Sequence, residues 1–121
     1  MSEKIRFDSL PLSEGIQAAV KEMGFEFASP IQSEAIPFVM EGRDVIGQAQ
    51  TGTGKTAAFG LPLIQLIKTA DKHPQALVVC PTRELCMQIV NELNFFKKHV
   101  PGVQVLAVYG GTSIGMQIRD L

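Results

Sequence analysis

The chain has 121 residues, 45% hydrophobic and 19% charged, with a formal net charge of −1. That length allows one compact domain, and the composition excludes a disordered or fibrous chain. The near-neutral balance excludes a whole-chain basic footprint for nucleic acid, so any such contact must come from local geometry.

The N-terminal run Met1 to Asp8 mixes both charge signs and has no apolar h-region, so no signal peptide is expected. Nor does any apolar run approach membrane-spanning length. The first predicted helix is capped by Ser13, carries Ile16, Ala19, Val20 and Met23 at helical spacing, and stops at Gly24. A second starts at Ser29 with Pro30 in its first position; Pro37 predicts a kink or restart, and Gly42 ends it. From residue 44 the pattern changes to strand–helix alternation. Residues 44–48 read as a short strand, followed by a Gly-rich turn and a helix from Gly54 to about Lys68, distorted at Pro62. Residues 76–80 are a continuous apolar run, as in a strand covered on both faces. Thr82 to about His99 reads as an amphipathic helix closed by Pro101-Gly102, and Val103 to Tyr109 as a third strand. Gly110-Gly111 is a turn, and Thr112 caps a last helix still running at Leu121. Strands alternating with helices predict an α/β fold with a parallel sheet. Cys80 and Cys86 lack CxxC spacing and neighbouring histidines. They read as a strand-end thiol and a helix thiol, whose reduced state fits a soluble cytoplasmic protein.

The motif that carries chemistry is Ala49-Gln50-Thr51-Gly52-Thr53-Gly54-Lys55-Thr56. It lies between a predicted strand and a helix, which is where a phosphate-binding loop belongs. Gly52 and Gly54 let the backbone turn tightly, and the amides at the helix start then point at phosphates. Lys55 can reach the β- and γ-phosphates of ATP, and the Thr56 hydroxyl can ligate Mg²⁺. Ala49 departs from the general pattern, which has glycine there. Ser29-x-x-Gln32 is a capping-box pattern. The same Gln32 amide also has the donor–acceptor pair that adenine N6 and N7 require and guanine would refuse. Phe7, Phe25 and Phe27 read as core rings or as ligand platforms. Thr82 is an N-cap and Arg83 a solvated charge on local evidence, and Gly110-Gly111 a plain turn.

The loop form with Ala49, together with Gly24 to Gln32, the upstream Phe7, Pro81-Thr82-Arg83-Glu84-Leu85 and Gly110-Gly111, resembles the DEAD-box RNA helicases. Gly24 to Gln32 looks like that family's Q motif, Pro81 to Leu85 its motif Ia, and Gly110-Gly111 its GG element. The resemblance implies a RecA-like domain present in part, with residues 1–42 a helical Q-motif segment and 43–121 an incomplete P-loop core. It implies that Phe7, Phe25, Phe27, Gln32 and residues 49–56 hold ATP or ADP, and that Pro81, Thr82, Arg83, Gly110 and Gly111 contact RNA backbone without reading sequence. The family's Asp-Glu-Ala-Asp and Ser-Ala-Thr elements do not occur in the 121 residues. A second RecA-like domain is implied for the parent protein, and the chain by itself is not expected to hydrolyse ATP or unwind. With the acid-bearing strand absent, unpaired sheet edges and self-association are expected. Two other readings remain: a small P-loop kinase, for which little chain is available, and a stand-alone, non-catalytic adenine-nucleotide-binding module.

Overall fold

The computed structural model describes residues 5–49, 54–110 and 118–119. Helix α1 spans Glu14–Glu22, α2 Pro30–Met40, α3 Lys55–Leu66 and α4 Arg83–Phe96. A 3-10 turn at Phe7–Ser9, which apolar periodicity does not reveal, precedes them.

The apolar spacing in α1 puts Ile16, Ala19 and Val20 on one buried face. Gly24, at φ +82°, turns the chain out of the helix, a conformation glycine adopts without Cβ strain. Helix α2 runs unbroken through Pro37, so the expected restart does not occur. Helix α3 likewise contains Pro62, which is buried. It stops at Leu66 rather than Lys68 because the Gln75 side chain takes both backbone groups of Lys68: Lys68 N–H donates to Oε1 at 2.8 Å, and Nε2 donates to the Lys68 carbonyl at 2.8 Å. Helix α4 stops at Phe96 rather than His99. The next residues form a turn, with Val100 N–H donating to the Lys97 carbonyl at 2.8 Å. That turn brings Lys98 and His99 onto Glu22 of α1, each at 2.6 Å. Hydrogen bonds from Lys98, then from His99, hold the Glu22 carboxyl below its ordinary range. This surface contact therefore contributes above the ordinary carboxylate pKa and is lost as pH falls through the lowered value.

Helix α3 packs against both α2 and α4, and α1 packs on α4. The core joins Ile16, Val20, Ile36, Leu61, Ile64, Ile89, Leu93 and Phe96, with Phe7 and Val103. Each such side chain, once fully buried, stabilises by about 1.5–3 kcal/mol relative to exposure. Gly60 sets the α3–α4 spacing, since a Cβ there would stand 2.7 Å from Leu93 Cδ2. The Gln65 amide clips α3 to the start of α1, accepting from Ser13 N–H and donating to the Pro11 carbonyl.

The expected parallel sheet is not formed among the described residues. Segments 44–48, 76–80 and 103–109 carry no ladder, and the single β-bridge pairs Arg6 with Phe27. Val78, Cys80 and Val105 pack against the helical core. The alternate residues face outward, with Leu77 86% and Val79 83% exposed. So 76–80 has the two-residue alternation of a strand, but only one face is covered, correcting the expectation of cover on both. An apolar groove of about 850 Å³ runs along 76–80 and 103–108 beside α3 and α4. Residues 118 and 119 are helical, whereas the expected cap Thr112 lies outside the described residues.

The α1–α4 junction yields a stability prediction. A Cβ at Gly15 would stand 2.6 Å from the backbone carbonyl oxygen of His99. Ala is the better helix former, but overpacking against backbone outweighs that gain. Gly15→Ala is expected to destabilise the chain by about 1–3 kcal/mol, measured by urea unfolding; unchanged or raised stability would show that the 97–100 turn yields freely.

Candidate functional site

The first part of the site is built on the start of α3. Gly54 is its N-cap at φ +86°, with no side-chain cap, and the first turn holds no acidic residue. Ala58 N–H returns to the Gly54 carbonyl at 3.2 Å. The leading amides of α3 therefore have no side-chain acceptor, and the positive end of the helix dipole lies beside them. Lys55 is exposed, Thr56 and Ala49 are half-buried, and Lys55 makes no ion pair among the described residues. Gln50, Thr51, Gly52 and Thr53 lie outside the described residues.

Gln32 joins α2 to this helix start. It is 3% exposed. Its Oε1 accepts from Ser29 N–H at 2.8 Å, and its Nε2 donates to the Gly54 carbonyl at 3.2 Å. The Gln32 half of the capping box is thus made. Ser29 Oγ faces the same turn but is buried without a hydrogen bond of normal geometry among the described residues. Packing here is close: a Cβ on Gly54 would run into the Gln32 amide.

The three aromatics separate into different environments. Phe7 is 2% exposed and stacks on Phe25, centroids 5.8 Å apart and planes at 18°. Phe25 is half-buried against the core. Phe27 is 42% exposed, with the Arg6 guanidinium 5.6 Å from its centroid. Backbone pairing aligns the two stretches: Phe7 N–H donates to the Glu26 carbonyl at 3.0 Å and Ala28 N–H to the Ile5 carbonyl at 2.7 Å. Phe7 and Phe25 thus act as framework, and Phe27 is the ring presented at the surface. A cavity of about 470 Å³ beside Phe7 and Phe25 is lined by Arg6, Asp8, Lys21 and Glu26, but by neither Gln32 nor Gly54.

The second part lies at the start of α4. Pro81, Thr82 and Arg83 are all exposed. Thr82 Oγ1 accepts from Leu85 N–H at 3.1 Å, so this hydroxyl caps the helix. The Arg83 guanidinium lies over the Tyr109 ring, 5.1 Å from its centroid, an aromatic contact that the spacing did not announce. Gly110 follows directly. Its φ is not in the left-handed region, and a Cβ there would meet nothing within 4 Å. Nothing within the described chain requires glycine at that position, and Gly111 lies outside the described residues. Cys80 and Cys86 flank the same turn and line the same groove; burial, then the neighbouring Cys86, pushes the Cys80 thiol up.

Residues 29–121 match the DEAD/DEAH box helicase family. The chain is 48% identical, over its whole length, to the ATP-dependent RNA helicase DeaD of Haemophilus influenzae, and spans 20% of it. It is 53% identical over 96% of its length to the ATP-dependent RNA helicase CshA of Listeria monocytogenes, spanning 22% of that protein. The fold matches a DEAD box protein from Methanococcus jannaschii with a TM-score of 0.84 and 35% identity, over 98% of this chain and 32% of that one. It also matches the RNA helicase Prp28 of Chaetomium thermophilum, in a structure bound to ADP, with a TM-score of 0.81 and 36% identity, over 98% of this chain and 30% of that one. The chain belongs to the DEAD-box ATP-dependent RNA helicase family, and it spans about a fifth of the length of these curated relatives.

The Gln32 bridge yields a prediction independent of any ligand. Gln32→Ala leaves the Ser29 N–H without its partner and the Gly54 carbonyl with the Ala58 N–H alone, a loss of about 1–3 kcal/mol in nucleotide-free stability. Denaturant unfolding of the ligand-free chain measures it, and an unchanged midpoint would mean that water replaces the bridge at no cost.

Proposed function

We propose that the chain is the N-terminal, adenine-nucleotide- and RNA-backbone-binding part of a DEAD-box RNA helicase. The observation that carries this reading is the start of α3. A helix N-terminus with no side-chain cap and no acidic residue in its first turn, and with an exposed Lys55 that makes no ion pair among the described residues, is joined through Gln32 and Gly54 to the Q-motif helix. Free amides beside a lysine fit the phosphates of ATP or ADP. Residues 49–56 hold them, Lys55 reaches the β- and γ-phosphates, and the Thr56 hydroxyl ligates Mg²⁺. When bound, Mg²⁺ supplies charge neutralisation on the phosphates.

Gln32 reads adenine by turning its amide from the Gly54 carbonyl to the base edge, which couples base recognition to the setting of the phosphate loop. Phe27 is the ring available to the nucleotide, with Phe7 and Phe25 fixing its place. The start of α4 and the turn at Gly110-Gly111 contact RNA phosphates, which helix amides and a guanidinium bind without reading sequence. The acidic residues that hold the metal shell and orient water come from chain beyond these 121 residues, as does the second RecA-like domain. This chain alone therefore binds nucleotide but does not turn it over.

Titration of fluorescent ADP, with and without Mg²⁺ and with GDP as competitor, tests the reading. Lys55→Ala is expected to weaken binding about 10- to 100-fold, the worth of a hydrogen bond to a charged group. Gln32→Ala, assayed below its unfolding midpoint, is expected to lose the preference for ADP over GDP. Base-indifferent binding by the unaltered chain would remove the adenine assignment, and absence of binding by a folded chain would remove the site.

A further inference from the structure

Three arginines among the described residues lie over an aromatic ring: Arg6 on Phe27, Arg43 on Phe38 and Arg83 on Tyr109. Their edges differ. Arg6 is bound to Asp8 at 3.3 Å and Glu26 at 3.0 Å, and Arg43 to Glu41 at 3.4 Å. Arg83 has no carboxylate partner among the described residues. A guanidinium is planar: stacking uses its face, while its five N–H donors all point outward in the plane. A salt bridge would fix the side chain by consuming those donors, whereas the ring fixes it and leaves them open. The guanidinium so held is on the first residue of α4, beside amides at the positive end of that helix.

We propose that Tyr109 is the positioning residue for Arg83, holding the guanidinium so that its free edge meets a backbone phosphate of a single RNA strand in a bidentate contact. This rests on the reading that the start of α4 contacts RNA phosphate. It adds a residue outside the motif pieces, and it gives the contact between Pro81-Thr82-Arg83 and the turn at Gly110 a physical form. Arg83 opens α4 and Tyr109 precedes the turn at Gly110, so the contact sets the separation of these two segments as well as the side chain's direction. The tyrosine hydroxyl plays no part in this role; the ring face does. An arginine over a ring also loses less freedom on binding phosphate, because its rotamer is already chosen.

The experiment is fluorescence anisotropy of the chain with a labelled oligouridylate at low salt, on variants shown to be folded by circular dichroism. Arg83→Ala is expected to weaken binding about tenfold, the loss of a charged hydrogen-bond contact. Tyr109→Leu is expected to weaken it about 2- to 5-fold, Tyr109→Phe to leave it unchanged, and Tyr109→Leu to add nothing in an Arg83→Ala background. A merely structural tyrosine would show the same loss in both backgrounds, and that result overturns the proposal. So does a loss in Tyr109→Phe equal to that in Tyr109→Leu. If Arg83→Ala binds as well as the unaltered chain, or the unaltered chain does not bind, the RNA-phosphate reading fails and takes the proposal with it. A second measurement needs no tyrosine variant. The chain has one tyrosine and no tryptophan, so its intrinsic fluorescence lifetime reports on Tyr109 alone. Oligouridylate is expected to change that lifetime in the unaltered chain, and an unchanged lifetime at saturation would overturn the proposal.

Discussion

The hydrogen bond from Gln32 Nε2 to the Gly54 carbonyl is the constraint on which the candidate site depends. A primary amide buried to 3% must find partners for both ends, and here they lie on two different elements. Its oxygen ends the orphaned amide at the start of α2, and its nitrogen holds the left-handed glycine from which α3 begins. Substituting that glycine would add a Cβ strained at φ +86° and aimed at the same amide. Position and direction of the α3 N-terminus are thereby tied to α2. A group that draws Gln32 away from Gly54 acts on the start of α3 without touching it.

The other governing fact is that the helices are packed and the strand segments are half-covered. Four helices enclose one core around Ile16, Ile36, Leu61 and Phe96, each of them buried. Residues 76–80 and 103–109 rest one face on that core and turn the other outward, leaving Leu77, Val79 and Val108 exposed. Among the described residues their backbone groups find no ladder partner, and such groups are satisfied only by water or by another strand. Exposed alternate apolar residues on an unpaired edge are also the setting in which chains associate. The helices thus enclose the core, while 76–80 and 103–109 leave apolar side chains facing outward.

Much of this was legible in the sequence, for identifiable reasons. The N-cap positions Ser13, Ser29 and Thr82, the glycine stop at Gly24 and the helical spacing of Ile16, Ala19 and Val20 act over a few residues and are found where expected, although of the three caps only the Thr82 side chain makes its bond among the described residues. The helix ends were less legible. Both α3 and α4 stop short of the expected ends: the Gln75 side chain takes both backbone groups of Lys68, and Lys98 and His99 lie in a turn that meets Glu22 of α1. Pro37 predicted a kink or restart and Pro62 a distortion; each lies inside a helix that continues past it.

The sequence by itself determined the family, the helix starts and the ordered motif pieces, because all three reside in residue identity and short spacing. Only the tertiary structure decided that Phe7 and Phe25 stack on each other while Phe27 is presented, and that Arg83 lies over Tyr109. It also decided that the strand segments stay unpaired among the described residues. Each of these is set by which surfaces come together across long stretches of chain. Spacing along the sequence does not encode such meetings, because they are fixed by the packing of helices that must first form.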